Sequence, residues 1–281
     1  MENFDIPTSV LSALDAIVNL GRDNPPMLYH YTDFNGFKGI LESRSLRATY
    51  LKALSDSAEQ VHGEDLVCRM LKDCTSTALH SRIDEGMKAP NRYRRWFVTC
   101  FCTRPTLSNM WETYASRGGG YCLGFYVPEL PMRRSFMFHV VYDETDSTLV
   151  KGVQDVAKII EEYPNDPLPF EVACILASGI KHPDFKDENE WRIVIHNPPV
   201  EAMNFRQAPN NIIPYINLGW DQIVGKSPLR EVFCGPTIRC DDELKQAIRW
   251  MLKKYGYSFP PTVDVTAVRR PIDLELECPP L

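Results

Sequence analysis

Apolar residues recur at helical spacing in several segments of the chain. These segments cover residues 8–20, 34–41, 66–71, 148–180 and 242–255. One apolar residue at every third or fourth position predicts helices with a single buried face. Asp33 is placed to cap the second of these helices, and Gly256 is placed to end the last one.

Shorter stretches rich in β-branched and aromatic residues predict strands. They cover residues 27–31, 45–51, 96–102, 121–127, 136–142, 190–195, 212–216, 231–234 and 262–268. Strands and helices do not alternate in the β-α-β rhythm of a parallel sheet, so the predicted fold class is α+β. We expect one elaborated domain over residues 27–270, with an N-terminal helical extension over 1–26 and a C-terminal tail over 271–281.

The composition is that of a folded protein. Hydrophobic residues make up 44% of the chain and charged residues 24%, a balance that permits a sizeable core and argues against global disorder. The net charge of -6 lacks the basic footprint of a dedicated nucleic-acid binder. The basic clusters at residues 92–95 and 133–134 are more typical of solvated loops. A protein is therefore favoured over nucleic acid as a macromolecular partner.

The cysteines and the apolar runs bear on the cellular compartment. Nine cysteines are present, an odd number that favours reduced thiols and a cytoplasmic location. Cys100 and Cys102 lack a second pair at zinc-ribbon spacing, so no metal site is expected. No basic segment precedes the first apolar stretch and no run reaches about 18 apolar residues, so no membrane association is expected. Delivery into another cell stays open.

The segment from Asp187 to Ile195 combines two glutamates with an arginine. Alternate residues of a strand share a face, so Glu188, Glu190 and Arg192 would lie on one side. Two carboxylates on one face raise each other's pKa unless a cation or hydrogen bonds intervene, which suits a site that stabilises positive charge. The alternative is a surface ion pair between Glu190 and Arg192 on an edge strand.

A second group of candidate residues lies where a predicted strand meets a predicted helix. The ring of His30, the hydroxyl of Thr32 and the free backbone N–H groups at the helix start could hold a ribose or an amide. The alternative is that His30 is an ordinary core or surface residue.

A third group lies on a short predicted helix. Trp111 and Tyr114 are three residues apart and share a helix face. Their rings could form a wall for a flat cationic ring, an attraction of about 0.5 to 2 kcal/mol. Ordinary core packing is the alternative. The glycines at 118–120 have neither the G-x-G-x-x-G order nor a GK[ST] ending, so neither a dinucleotide-binding Rossmann unit nor a P-loop is predicted.

The order of these segments resembles the bacterial domain of unknown function 2971 family. The matching stretches are LYHYTDFNGFKGILESRSLRA, CFCTRPTLSNMWETYASRGGGYCLGF, DENEWRIVI and LREVFCGPTIRCDDELKQAI. The resemblance covers about residues 27–270. Its most specific part joins a Met-Trp-x-x-Tyr-Ala block to Glu-x-Glu-Trp-Arg.

The resemblance implies an ADP-ribosyltransferase-like fold of split antiparallel sheets with surrounding helices, and NAD⁺ as the substrate. In the histidine-tyrosine-glutamate branch of that group, the match to His30 holds a ribose hydroxyl. The backbone of Tyr31 would bind the nicotinamide amide, Trp111 and Tyr114 would sandwich the nicotinamide ring, and Thr32 would help orient the cofactor.

The same resemblance assigns the catalytic carboxylates. Glu190 matches the essential glutamate, and Glu188 matches the partner that activates the nucleophile. Asp56 and Glu59 stand in a loop where the family more often has an Asn-Asp pair, and they would either line the site or tie the loop.

The function expected from these residues is mono-ADP-ribosylation of an unidentified acceptor. Such enzymes recur among toxins, effectors and phage-defence proteins. Two alternatives stay open: an NAD⁺ glycohydrolase that transfers ADP-ribose to water, and a non-catalytic nucleotide- or protein-binding module on the same fold.

Overall fold

The structure is a computed structural model that describes residues 25–54, 57–88, 95–130, 135–220, 227–257 and 264–268. The chain divides into two compact units. Among the described residues, the first unit consists of those within Arg47–Thr99 and Met132–Ile216, and the second consists of those within Asn24–Leu46, Cys100–Pro131 and Asn217–Leu281. Each unit is therefore assembled from separate stretches of sequence.

The helices of the described residues are α1 (Phe34–Ser43), α2 (Ser57–Cys74), α3 (His80–Lys88), α4 (Ser108–Tyr114), α5 (Ser147–Glu162), α6 (Leu168–Ser178) and α7 (Asp242–Lys254). The strands are β1 (Met27–Thr32), β2 (Ser45–Tyr50), β3 (Trp96–Cys102), β4 (Tyr121–Tyr126), β5 (Ser135–His139), β6 (Glu190–His196), β7 (Met203–Ala208), β8 (Asn211–Gly219), β9 (Leu229–Cys234) and β10 (Asp264–Ala267). Within the described ranges, no helix has both the length and the apolar character needed to cross a membrane.

The first unit combines a row of strands with a group of helices. Its strands follow the order β5, β6, β3, β2, β8, β7, where β3 contributes its residues 96–99. Helices α2, α3, α5 and α6 pack on one another. Helix α6 is buried at nine of its eleven positions, and an apolar helix without a polar face is expected to lie at the centre of such a group.

The second unit is built around β1. Strand β1 pairs antiparallel with β4 along its whole length, from Met27 opposite Tyr126 to Thr32 opposite Tyr121. Its other edge pairs with β3 at Tyr29 opposite Cys102. The strand order continues from β4 to β9 and β10, and α1 and α4 pack against β1.

The pairings confirm a mixed fold of helices and mostly antiparallel strands. Among the strand pairs with a described register, β9 with β10 is parallel and the others are antiparallel. Every predicted strand has a counterpart within a few residues, and the stretch predicted to be helical over 148–180 forms two helices, α5 and α6. The helix predicted over 8–20 and the tail over 271–281 lie outside the described residues.

Two elements were missed from the sequence. Strand β7 forms a hairpin with β8 through a two-residue turn, and Phe205 and Arg206 in β7 are exposed, so apolar and polar residues do not alternate as on a half-buried strand. Helix α3 has only nine residues and buries three of them, Ile83, Gly86 and Met87. A short helix with a glycine on its buried face has too few apolar side chains for its periodicity to be recognised.

Gly63 tests the packing of α2 on α6. A Cβ atom at this position would overlap the carbonyl oxygen of Ala177 in α6. Gly63→Ala should lower the free energy of unfolding by about 1 to 3 kcal/mol, because overpacking against backbone outweighs the gain in helix propensity of about 1 kcal/mol. Thermal unfolding measures this change. Gly219→Ala is the control, because its nearest neighbour would lie 3.8 Å away. A Gly63→Ala protein that melts no lower than wild type would contradict this close approach.

Candidate active site

Four charged side chains meet in the interior of the first unit. Lys181 donates hydrogen bonds to Glu188 Oε2 over 2.7 Å and to Glu190 Oε2 over 3.2 Å. Arg192 binds Glu190 twice, from Nε to Oε1 over 2.7 Å and from Nη2 to Oε2 over 3.1 Å. All four residues are buried. We call them the charge cluster. Two carboxylates and two cations leave it neutral when all are ionised.

The two glutamates come from different local structures. Glu190 opens β6, whereas Glu188 ends a 3-10 turn over Pro183–Glu188. Asn189 stands between them with a φ of 45°, a left-handed conformation in which asparagine is enriched. The backbone N–H of Glu190 donates to the hydroxyl of Tyr142 over 2.9 Å. The turn therefore brings Glu188 to the cluster although the strand does not extend to it.

Lys181 follows α6 and is fixed by backbone hydrogen bonds. Its N–H donates to the carbonyl oxygen of Val141 over 3.0 Å, and the N–H of Val141 donates to the carbonyl oxygen of Gly179 over 2.8 Å. The ammonium group lies 4.8 Å from the centre of the Phe185 ring, a distance at which a cation is attracted to an aromatic face. The backbone hydrogen bonds and the Phe185 ring thus help to position Lys181 independently of the two carboxylates.

The two carboxylates differ in their surroundings. Both oxygens of Glu190 accept hydrogen bonds from cations. Glu188 accepts one from Lys181 through Oε2, and no described residue donates to its Oε1. Burial raises the pKa of Glu188, because loss of water disfavours the charged form, and Lys181 opposes this shift. Glu188 is therefore the member of the cluster suited to exchange a proton and to contact a ligand.

The prediction that Glu190 and Arg192 share a face is confirmed by their ion pair. The alternative of a surface pair on an edge strand is wrong, because both side chains are buried and β6 pairs with both β3 and β5. Lys181 and Tyr142 were missed from the sequence. One feature of the sequence could have indicated Lys181: a lysine follows directly after the apolar run of α6, and a buried charge there needs a partner.

His30 lies in β1 of the second unit. Its Nδ1 is 2.9 Å from the carbonyl oxygen of Cys100. A carbonyl only accepts hydrogen bonds, so Nδ1 carries the proton and Nε2 is the acceptor nitrogen of the neutral ring. Burial lowers the pKa of His30, which favours that neutral form. No described residue bonds to Nε2, and this acceptor suits a ligand hydroxyl.

Tyr31 and Trp111 lie together in the core of the second unit. Their rings meet edge to face with centroids 5.0 Å apart. The Tyr31 hydroxyl donates to the Arg104 carbonyl oxygen over 2.8 Å and accepts from the Leu107 N–H over 3.1 Å. Trp111 is 3% exposed, and its Nε1 donates to the carbonyl oxygen of Pro105 over 3.0 Å. These contacts are those of core packing; a role for Trp111 in holding a cofactor stays a prediction.

The remaining predicted residues of the second unit are more open. Tyr114 is 41% exposed although it shares α4 with Trp111. Thr32 ends β1, and its hydroxyl occupies the space that a side chain at Gly36 would fill. Strand alternation turns the His30 ring toward Phe101, away from the side on which Tyr31 contacts Trp111. The structure brings the rings of Tyr31 and Trp111 together and places the His30 ring on the opposite side of β1.

Within the described ranges, no group of three or more His, Cys, Asp or Glu side chains could hold a metal ion. Asp56 and the side chain of Glu59 lie outside the described residues, as do residues 92–94 and 133–134 of the basic clusters.

The ion pair between Glu190 and Arg192 can be measured by a double-mutant cycle. Glu190→Gln and Arg192→Met should each lower the free energy of unfolding by about 3 to 5 kcal/mol, because each leaves a buried charge unbalanced. The double variant should lose less than the sum, because Lys181 and Glu188 remain as a balanced pair. Urea unfolding of the four proteins gives these values.

The control for this cycle is the exposed pair of Arg69 and Glu144. Glu144→Gln should change stability by less than about 1 kcal/mol, as exposed ion pairs do. Strictly additive losses in the Glu190 and Arg192 variants would show that the two side chains do not act as a pair.

Comparison with known proteins gives one match. Residues 110–193 match the family described as Protein of unknown function (DUF2971). This stretch contains Trp111, Tyr114, Glu188, Glu190 and Arg192, so it supports the resemblance over the part of the chain that carries its most specific motifs. No curated protein matches the chain, and no solved structure does.

Proposed function

We propose that this chain cleaves the nicotinamide-ribose bond of NAD⁺ and transfers ADP-ribose to an acceptor, on an ADP-ribosyltransferase-like fold. The observation that carries the proposal is the charge cluster, in which Glu188 is a buried carboxylate with a raised pKa and an oxygen that no described residue engages. A carboxylate whose pKa is shifted by burial together with a specific charge partner is a candidate for a catalytic site. The order of the motifs supports the same function through the resemblance, and the family match over residues 110–193 covers the most specific of these motifs.

The chemistry requires negative charge at the ribose. As the bond from C1′ to the nicotinamide nitrogen breaks, its electron pair leaves with nicotinamide and C1′ gains oxocarbenium character. A fixed carboxylate stabilises this state more than the ground state. Ionised Glu188 supplies that charge. The acceptor then bonds to C1′ through its nucleophilic atom, and its proton passes to Glu188.

Glu190 acts on this step as a positioning residue. Its own charge is balanced by Arg192 and Lys181, and it holds the ammonium that binds Glu188 Oε2. Glu188 Oε1 is thereby left for the substrate. These roles differ from those implied by the resemblance, in which Glu190 supplies the charge and Glu188 activates the acceptor; here Glu188 does both.

The proposed NAD⁺-binding residues are those that the resemblance names. The acceptor nitrogen of neutral His30 would take a hydrogen bond from a ribose hydroxyl, with Thr32 beside it. The exposed ring of Tyr114 would offer its face to the cationic nicotinamide ring. Tyr31 would contribute its backbone, and the buried Trp111 ring would anchor α4.

The acceptor is proposed to be a protein, because the net charge of -6 disfavours approach to nucleic acid. A cytoplasmic location and a role as toxin, effector or phage-defence protein are proposals that rest on the resemblance. With water as the acceptor the same chemistry gives an NAD⁺ glycohydrolase.

Incubation with NAD⁺ that is labelled in its ADP-ribose part separates these outcomes. Labelled protein indicates transfer, nicotinamide release without labelled protein indicates hydrolysis, and binding without nicotinamide release indicates a binding module.

Glu188→Gln should reduce nicotinamide release by at least roughly a hundredfold, because the amide retains the shape but carries no charge and accepts no proton. Chromatographic measurement of nicotinamide gives the rate. Glu201→Gln, at an exposed glutamate of the same unit, is the control and should keep wild-type turnover. Turnover by folded Glu188→Gln close to that of wild type would refute the proposed role.

The pH dependence follows from the direction of the Glu188 pKa shift. The ionised carboxylate is the active form, so nicotinamide release should fall as the pH drops through a pKa above the ordinary value of about 4.3. This loss of activity at low pH should be absent from the pH–rate profile of the residual activity of Glu188→Gln. A loss at low pH that persists in this variant would be caused by another titratable group.

His30→Gln should weaken NAD⁺ binding by roughly 3- to 10-fold, the worth of one hydrogen bond. Calorimetric titration should be done with Glu188→Gln as the parent, because that protein is expected to consume NAD⁺ far more slowly than wild type. Circular dichroism of the double variant controls for folding. Unchanged affinity in a folded protein would remove His30 from the site while leaving the assignment of Glu188 intact.

A further inference from the structure

His139 lies beside the turn that carries Glu188. It is the last residue of β5 and pairs with Trp191 in β6. Its ring nitrogen Nε2 is 2.7 Å from the side-chain oxygen Oδ1 of Asn189. An amide oxygen only accepts hydrogen bonds, so Nε2 carries a proton and is the donor. This hydrogen bond joins the end of β5 to the residue between the two glutamates of the charge cluster.

The conformation of Asn189 decides where Glu188 lies. Its φ of 45° is left-handed, and it ends the 3-10 turn over Pro183–Glu188. A residue other than glycine keeps this conformation where the surrounding structure holds it. The N–H of Asn189 donates to the carbonyl oxygen of Lys186 over 3.1 Å, which closes the turn. The hydrogen bond from His139 then ties the closed turn to the sheet.

Glu190, the next residue, is held by backbone contacts of its own. Its carbonyl oxygen accepts a hydrogen bond from the N–H of Val140 over 2.9 Å, and its N–H donates to the hydroxyl of Tyr142 over 2.9 Å. Both polar groups of its backbone are therefore fixed. Loss of the contact from His139 would release the side chain of Asn189 while the residue after it stays in place.

We propose that His139 is a positioning residue that holds Glu188 at the charge cluster through Asn189. With the turn fixed, Glu188 Oε2 stays 2.7 Å from the ammonium of Lys181, and Oε1 is left for the substrate. Nε2 of His139 carries a proton in the charged ring as well as in this neutral form, so the hydrogen bond does not depend on its protonation. The catalytic consequence rests on the proposed function, whereas the position of Glu188 does not.

Packing against Trp191 is the alternative role of His139, because the centroids of the two rings are 5.5 Å apart. Two variants separate the roles. His139→Gln keeps an N–H donor at a similar distance from the backbone but removes the ring, whereas His139→Phe keeps a ring but has no donor. A packing role predicts that His139→Phe resembles wild type. The positioning role predicts that His139→Gln does.

The pKa of Glu188 reports its position in the absence of NAD⁺. Carbon-13 NMR of protein labelled at the glutamate carboxyl carbons measures it, with the resonance assigned by its loss in Glu188→Gln. Burial is the main cause of the raised pKa, and residues 186–187 are exposed, so a released turn would move Glu188 toward water. In His139→Phe this pKa should therefore fall toward the ordinary value of about 4.3, and in His139→Gln it should stay raised. An unchanged pKa in folded His139→Phe would overturn the proposal.

Asn189→Gly tests the same link from its other end. Glycine adopts the left-handed conformation readily but has no side chain to accept the hydrogen bond. This variant should lower the pKa of Glu188 as His139→Phe does, and it serves as the test if His139→Phe does not fold. Adding His139→Phe to Asn189→Gly should change the pKa no further, because the link is already broken. Additive changes would show that His139 acts by another route and would overturn the proposal.

Nicotinamide release measures the catalytic consequence. His139→Phe should lower kcat by roughly tenfold or more with KM for NAD⁺ unchanged, because the carboxylate is misplaced and no NAD⁺-binding residue is altered. His139→Gln should restore kcat. The control is His80→Phe, which removes a histidine that lies 3.0 Å from the Lys72 carbonyl oxygen, and it should keep wild-type kcat. Wild-type kcat in folded His139→Phe would overturn the proposal. A wild-type protein that releases no nicotinamide would refute the proposed function instead, and the pKa of Glu188 would then decide the role of His139.

Discussion

Two carboxylates and two cations share the interior of the first unit, and the local chain path is set by the need to keep them paired. Removing one partner of a buried ion pair costs several kcal/mol, because the remaining charge is out of water. The fold meets this demand with backbone contacts: the left-handed Asn189 turns Glu188 inward, and Val141 holds the start of the segment that carries Lys181. Arg192 also donates to the carbonyl oxygen at the end of α6 over 2.8 Å.

This pairing leaves an asymmetry that is useful for chemistry. Glu190 accepts hydrogen bonds from Arg192 and Lys181, which balance its charge. Glu188 accepts a hydrogen bond from Lys181, which it shares with Glu190. A carboxylate that is partly compensated and poorly solvated responds most strongly to a new positive charge nearby. The cluster can therefore be structural and also carry the proposed reactivity, with stability resting on Glu190 and Arg192 and the proposed reactivity on Glu188.

The sequence predicted most elements because their periodicity reflects burial on one side. It could not predict that β6 is buried on both faces, since Glu190 and Arg192 read as polar positions until Lys181 is placed beside them. The position of Glu188 could not be predicted either. The strand was predicted to continue back through Asn189 to Glu188, but the chain turns at Asn189. Partners far apart in sequence, such as Tyr142 and Glu190, have no local signature at all.

The aromatic residues show the same limit more sharply. Tyr31 follows His30 in a strand, so the two rings must point to opposite sides, and the local sequence does not tell which of the two rings packs in the core. The Tyr31 ring instead meets Trp111, and each ring has its polar atom bonded to a backbone carbonyl. Helical spacing alone could not rank Trp111 against Tyr114, because residues three apart share a face but differ in depth. Burial of the larger ring leaves Tyr114 as the aromatic side chain of α4 that a ligand can reach without unpacking the core.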